Sequence, residues 1–97
     1  MKIAQIVLPV FDRVGRDLFF EHAQLQHDLL KEWGGYITVA GMGEGPKGPT
    51  SLRVYSIAMK LADVIKLRTL AASLARQCGL DSVMIVTPCG DVEFVKP

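Results

Sequence analysis

Two long stretches of helical periodicity, each ended by glycine, constrain the fold of this chain more than any other feature. They cover residues 18–33, followed by Gly34, and residues 64–78, followed by Gly79. Glycine adopts the left-handed conformation that commonly ends a helix, so both boundaries are well marked. Each helix carries one apolar stripe. The stripes comprise Leu18, Phe19, Ala23, Leu25, Leu29, Leu30 and Trp33 in the first helix, and Leu67, Leu70, Ala71, Leu74, Ala75 and Cys78 in the second. We expect Asp17 and Asp63 as their N-caps.

The remaining segments have the composition of β-strands. Residues 2–10 are apolar on both alternating faces, which is typical of a central strand, and regular pairing should end near Pro9. Residues 35–60 alternate around a glycine-rich centre and predict a long hairpin, and residues 82–95 predict a final hairpin.

The order is therefore strand, helix, strand, strand, helix and strand, where the last strand can be doubled into a hairpin. This is the ferredoxin-like βαββαβ arrangement of the α+β class, with an antiparallel sheet and both helices on one face. A chain of 97 residues has room for one such domain, spanning residues 1–97.

The apolar content points to association. Hydrophobic residues make up 49% of this small chain, and a sheet with one bare face should alternate apolar and polar residues more cleanly. We expect Ile3, Val7, Tyr55, Ile57 and Met59 to exceed what two helices can cover, and so predict a homo-oligomer.

Charge and cysteine content argue against several functional classes. With 11 lysine and arginine residues against 10 acidic ones, charge gives no support to nucleic acid as a partner. The 2 cysteines and 2 histidines lack metal-ligand spacing, so we expect no metal and no cofactor. No apolar run approaches the length of a membrane span, and the first ten residues do not have the pattern of a signal peptide. We expect a protein of the reducing cytoplasm with no membrane partner.

The segment GMGEGPKGPTS, residues 41–51, is the first candidate site. Closely spaced glycines let backbone N–H groups converge on an anion, and a lysine could add charge. The segment is not a phosphate-binding loop of the Walker type, because no helix follows it. A ligand loop and a flexible or partner-contacting hairpin connection both remain open. The residues concerned are Gly41, Gly43, Gly45, Lys47 and Gly48.

His22 and Gln26 form the second candidate, one helical turn apart within the apolar stripe. Polar side chains in such a position need hydrogen-bond partners or an adjoining cavity. One interpretation is a pair in the core or at an interface whose hydrogen-bonding groups all have partners. The other is a pair at the floor of a pocket that exchanges protons or orients a ligand.

Three further candidates carry weaker signals. Arg13 and Arg16 lie near a helix start and could hold an anion, although ion pairing with neighbouring acids is the alternative. Arg53 and Tyr55 share one face of a strand, either as surface residues or as the lining of an oligomer cleft. Cys89 is expected to be exposed in a turn, where no partner marks it as a nucleophile.

Two family resemblances are visible in these motifs. GGYITVAGMGEG after a helix, with LPVFD after the first strand, resembles a group of short uncharacterised bacterial and phage-type proteins, which implies no activity. The order of elements and TVAGMGEGPKG also resemble the PII-type signal proteins. That resemblance implies ferredoxin-like trimers that bind nucleotides beside a long loop.

We therefore expect a homo-oligomeric binding or regulatory protein without enzymatic activity. Its favoured ligand is a small anionic or nucleotide-like metabolite near the glycine-rich segment. One alternative is a protein-interaction module, such as a phage-type inhibitor of a host factor. Another is a cofactor-independent enzyme of the dimeric ferredoxin-like barrel kind, with His22 as acid or base.

Overall fold

The computed structural model describes residues 1–46 and 48–97, which form an antiparallel sheet covered by two helices. A short 3₁₀ turn, Leu61–Asp63, precedes the second helix. The elements in chain order are β1 (Lys2–Pro9), α1 (Phe19–Trp33), β2 (Ile37–Gly45), β3 (Gly48–Met59), α2 (Val64–Cys78), β4 (Val83–Val86) and β5 (Val92–Val95).

The sheet has five strands in the order β2-β3-β1-β4-β5, and every neighbouring pair is antiparallel. This differs from the expected four-stranded order, because the chain after α2 makes a hairpin that adds β5 at the edge. The backbone N–H of Thr87 donates to the carbonyl oxygen of Asp91 at 2.8 Å, which closes the turn between β4 and β5. Within this turn Gly90 adopts a φ of 91°. The α+β class and the doubled last strand are confirmed.

Both helices end where the sequence predicts. Gly34 and Gly79 adopt left-handed conformations, with φ of 80° and 64°, directly after the last helical residues. The predicted N-cap position of α2 is confirmed, whereas that of α1 was wrong by one residue. Asp17 lies one residue before the cap position, where its carboxylate accepts the N–H of Phe19. Asp63 is the cap residue of α2, but its carboxylate accepts hydrogen bonds from the Lys60 N–H and the Trp33 indole instead.

The core lies between the helices and one face of the sheet. It takes alternate residues from β1, β3 and β4 together with one stripe from each helix, so both helices cover the same face. Its larger members are Ile6, Leu8, Leu18, Leu25, Leu29, Tyr55, Ile57, Met59, Leu67 and Ile85. The α2 stripe is confirmed. The α1 stripe is narrower than predicted, because Phe19, Ala23 and Leu30 are exposed.

The strand register corrects one argument for association. Tyr55 pairs with Ile6 and Ile57 with Ala4, which places both on the helix-covered face. Tyr55, Ile57 and Met59 are fully or almost fully buried in the core. They are therefore not part of an uncovered surface and give no support to association, whereas Ile3 and Val7 do lie on the opposite face, so the two helices do not cover all five residues.

The opposite face of the sheet, here called the open face, carries no helix and is largely apolar. The register between strands identifies its residues from every strand. They are Ile3, Gln5, Val7, Pro9, Ile37, Val39, Gly41, Leu52, Val54, Ser56, Ala58, Met84, Val86, Val92 and Phe94. Several are well exposed, among them Ile37 at 72% and Phe94 at 67%.

Most of the glycine-rich segment is strand and not loop, and its interpretation as a loop was wrong there. Residues 41–45 belong to β2 and residues 48–51 to β3, and they continue the ladder of the predicted hairpin through Gly43↔Thr50 to Gly45↔Gly48. Because β1 pairs with β3 only as far as Leu52, this end of the hairpin extends beyond the rest of the sheet. We call residues 42–51 the arm. Lys47 lies outside the described residues.

None of the helices in the described part of the chain is long and apolar enough to cross a membrane.

Candidate functional site

A buried hydrogen-bond network joins the start of α1 to β1 and β3. His22 Nδ1 is 2.7 Å from the Tyr55 hydroxyl, and Nε2 is 2.8 Å from the Pro9 carbonyl oxygen. Gln26 donates from its side-chain amide to the same hydroxyl at 3.2 Å. His22 is therefore buried, as its place in the apolar stripe indicates, and its neighbours satisfy both ring nitrogens.

The partners fix the hydrogen positions in this network. A carbonyl oxygen can only accept, so Nε2 of His22 carries a proton; in the tautomer with this single ring proton, Nδ1 accepts from the Tyr55 hydroxyl. The Tyr55 oxygen then accepts from the amide of Gln26, which orients that amide and turns its oxygen away. The chain of donors runs from Gln26 through Tyr55 to His22 and ends at the Pro9 carbonyl.

Burial reinforces this assignment. Removal of Tyr55 from water raises the pKa of its phenol above the ordinary value, and the hydrogen bond from Gln26 offsets only part of that effect. The phenol is therefore protonated at neutral pH and remains a donor to His22. Because Tyr55 is fully buried, the interpretation of it as a surface residue, one of the two left open, was wrong.

A pocket of about 320 Å³ opens beside the network, where β1 ends and α1 begins. We call it the Arg53 pocket. Val10 and Phe19 supply apolar walls, and His22, Gln26 and Arg53 bring polar groups to it, with Asp17 also in the lining. The structure thus brings together four residues that the sequence assigned to a site: His22, Gln26, Arg53 and, beneath them, Tyr55.

Arg53 is the main cationic group of the pocket. It is half-buried, and its guanidinium makes one long hydrogen bond, 3.5 Å to the Thr38 hydroxyl. Among residues 1–46 and 48–97 no carboxylate forms an ion pair with it. A guanidinium has five N–H donors in a planar fork that matches carboxylate or phosphate. Most of these donors are left for a ligand or water.

Arg13 and Arg16 are not part of this pocket. Together with Arg76 they line a separate depression of about 520 Å³. Arg16 pairs with Asp12 of the same turn at 3.0 Å, as the alternative interpretation predicts, whereas Arg13 pairs at 2.9 Å with Asp81, which lies beyond the end of α2. Hydrogen bonds from the backbone and side chain of Arg16 hold the pKa of Asp12 below its ordinary value. These pairs stabilise the turn between β1 and α1.

The glycines of residues 41–48 are not in the lining of the Arg53 pocket. Gly41 and Gly43 lie beside the Leu52 side chain, where an added Cβ would come within 3.2 Å and 3.0 Å of a Leu52 methyl carbon. A side chain at either position would require the Leu52 methyl groups to shift by a few tenths of an ångström. Gly45 and Gly48 pair at the end of the ladder. Anion binding by Gly41, Gly43, Gly45, Lys47 and Gly48 stays a prediction.

The two cysteines lie in different environments. Cys78 is buried, which raises the pKa of its thiol to about 11, and Cys89 is exposed in the β4–β5 turn. Within the described residues no group of three histidine, cysteine or acidic side chains is placed to hold a metal ion.

The sequence contained a signal for the network that periodicity alone did not reveal. Two polar residues one turn apart in a core stripe require a buried partner, and Tyr55 alternates with Ile57 and Met59 on one strand face. Together these features indicate a tyrosine under the helix. The contribution of the Pro9 carbonyl could not be foreseen, because it depends on where β1 ends.

Comparisons with protein-family models, with curated proteins and with solved structures found no significant match.

Proposed function

We propose that this chain is a non-enzymatic binding protein whose Arg53 pocket takes a small organic anion. The observation that carries the proposal is the half-buried Arg53 guanidinium, which has no carboxylate partner among the described residues and lies in the lining of a pocket. A cation in a partly apolar cavity favours an anionic ligand, because the low local dielectric strengthens their attraction.

The same geometry favours a carboxylate with a neighbouring hydroxyl or amine. The carboxylate would pair with the fork of Arg53. The side-chain oxygen of Gln26 faces away from Tyr55 and would accept a hydrogen bond from the second group. A volume of about 320 Å³ is at the small end of ligand pockets, which favours a small metabolite over a whole nucleotide.

An enzyme with His22 as acid or base has less support. Both ring nitrogens of His22 already have buried partners, so proton exchange with a substrate would break one of these bonds. We propose that His22 orients Tyr55 and, through it, Gln26.

We propose further that the fold is a ferredoxin-like unit extended by β5. Its first four strands lie in the order β2-β3-β1-β4 with both helices on one face, which supports this relationship. A cytoplasmic location is also proposed; the two free thiols, Cys78 and Cys89, agree with a reducing environment.

The test is a thermal-shift screen with small 2-hydroxy and 2-amino acids, dicarboxylates and inorganic phosphate. A ligand should raise the melting temperature with concentration, because it binds only the folded state. Arg53→Gln should weaken its binding by about 1.5–3 kcal/mol, the contribution of a charge-assisted hydrogen bond.

Arg76→Gln is the matched control, since Arg76 is an exposed arginine outside this pocket. It should leave the ligand response unchanged. Binding that survives in Arg53→Gln, or that disappears equally in Arg76→Gln, would contradict the proposal.

A further inference from the structure

We infer that the open face is the interface of a homodimer in which two copies of the chain pack sheet against sheet. The first observation is the exposure of its apolar side chains. Ile3, Ile37, Val39, Val92 and Phe94 are each more than half exposed, and they are distributed over three of the five strands, including both edge strands. A soluble monomer rarely presents a continuous apolar surface of this extent.

The second observation is the absence of charge. None of the residues that define the open face is acidic or basic. Its two central polar side chains, Gln5 and Ser56, hydrogen-bond each other at 3.1 Å across β1 and β3. The surface can therefore lose its water without burying an unpaired ion. Burial of an unpaired charge is the largest penalty that a polar surface incurs when it is removed from water.

These properties fit a second copy better than another partner. A charged protein or a lipid headgroup would find no charge on this face to pair with, whereas two flat apolar sheets complement each other. Sheets pack face to face at ~10 Å with nearly aligned strands, and each face then supplies half of a common core. With a net charge of +1 per chain, repulsion between two copies is small.

The register supplies a continuous row for this packing. Val39, Val54, Val7, Met84 and Phe94 are neighbours across all five strands, from one edge of the sheet to the other. A two-fold axis that lies between the two sheets, parallel to the strands and over the middle strand β1, would place this row against the same row of the partner in reverse order. The large Phe94 of one copy would then lie over the smaller Val39 of the other.

The area is sufficient for a stable dimer. Strand spacing of ~4.8 Å and a rise of ~3.3 Å per residue give a projected area of roughly 500 Å² per copy. Two copies would together bury about twice this projection, ~1,000 Å², which is the size that a specific interface needs when its surfaces are complementary.

The test measures the mass of the full chain by analytical ultracentrifugation over a range of micromolar concentrations. The wild-type chain should be a dimer. Phe94→Glu should raise the dimer dissociation constant by roughly 100-fold or more, because two carboxylates would be buried in an apolar interface. The monomer should keep its circular dichroism spectrum, since Phe94 is exposed and its replacement leaves the core intact.

Phe20→Glu is the matched control, because Phe20 is a similarly exposed phenylalanine on α1, at 82%. It should remain a dimer. Should Phe94→Glu fail to fold, Ile37→Glu on the opposite edge strand makes the same measurement. A monomeric wild type overturns the proposal, as does an oligomer that these open-face variants leave intact. Dissociation by Phe20→Glu but not by Phe94→Glu would overturn it too, by placing the interface on the helix side instead.

Discussion

The Tyr55 hydroxyl lies 2.7 Å from Nδ1 of His22, across 33 residues of sequence, and this contact holds α1 to the centre of the sheet. His22 in turn reaches the Pro9 carbonyl, at the position where regular pairing of β1 ends. A polar network thus runs through the edge of an apolar core, with each member bonded to the next. Its energetic contribution depends on all members being present.

We expect Tyr55→Phe to lower the free energy of unfolding by about 1–3 kcal/mol, because it leaves Nδ1 of buried His22 without a donor. His22→Leu should cost a similar amount, since it leaves the Tyr55 hydroxyl and the Pro9 carbonyl without their partner. The double variant should lose less than the sum, because both changes remove the same bond. Urea denaturation measures all three.

Tyr36→Phe is the control for this cycle, because Tyr36 contacts Tyr55 through its ring. It should change stability less than Tyr55→Phe. Strictly additive losses in the double variant would mean that His22 and Tyr55 are not energetically coupled.

Asp12 should make the stability of the chain sensitive to acid. Its pKa is lower in the folded state than its ordinary value of 3.8, so folding favours the ionised form. This stabilisation is present above the unfolded-state pKa and is lost as the pH falls through the lower folded-state pKa. Asp12→Asn should remove that part of the pH dependence, measured by urea denaturation from neutral pH into the acid range below the folded-state pKa.

Asp81→Asn is the comparison for acid sensitivity, because Asp81 is 85% exposed and pairs only through its contact with Arg13. It should preserve most of the acid-dependent loss of stability. If Asp12→Asn retained the full wild-type dependence, the network of Asp12 and Arg16 would not be its source.

Shortening the arm distinguishes between the glycine-rich segment and the Arg53 pocket as the site of anion binding. Replacing residues 44–49 with Asn-Gly would close a two-residue turn on the existing Gly43↔Thr50 pair and keep the register of the hairpin. We expect a folded chain with little change in melting temperature, because the removed residues bury few contacts. Any anion bound in the Arg53 pocket should bind as before.

Circular dichroism and the thermal-shift response measure these two properties. If the shortened chain folds but no longer responds to the ligand, the binding site includes the arm, and its glycines would then be interpreted as anion-binding. Arg53→Gln, measured alongside, shows whether the pocket contributes as well.

The sequence predicted local structure better than it predicted pairing. Helical spacing and the glycines at Gly34 and Gly79 marked both helices within a residue, because local conformational preference decides these boundaries. The side of the sheet on which Tyr55 lies depends on the register with β1, which alternation within one strand leaves undetermined. For the same reason the glycine-rich segment was interpreted as a loop, although it continues a ladder.

The candidate site shows the same division. His22 and Gln26 were identifiable because polar residues interrupt a local apolar stripe. Their joining to Tyr55 and Arg53 requires contacts between segments far apart in the chain. Such contacts arise from tertiary packing, and no local pattern encodes them.

The central position of β1 has a consequence for the biosynthesis of the sheet. Ile6 pairs with Tyr55 on one side and with Ile85 on the other. Because β1 precedes both neighbours in the chain, it must wait during synthesis first for β3 and then for β4, which follows α2. Until then an apolar segment remains without partners, and contacts over such long sequence separations form slowly. We therefore expect nascent chains stalled before β4 to bind chaperones more strongly than the completed protein does.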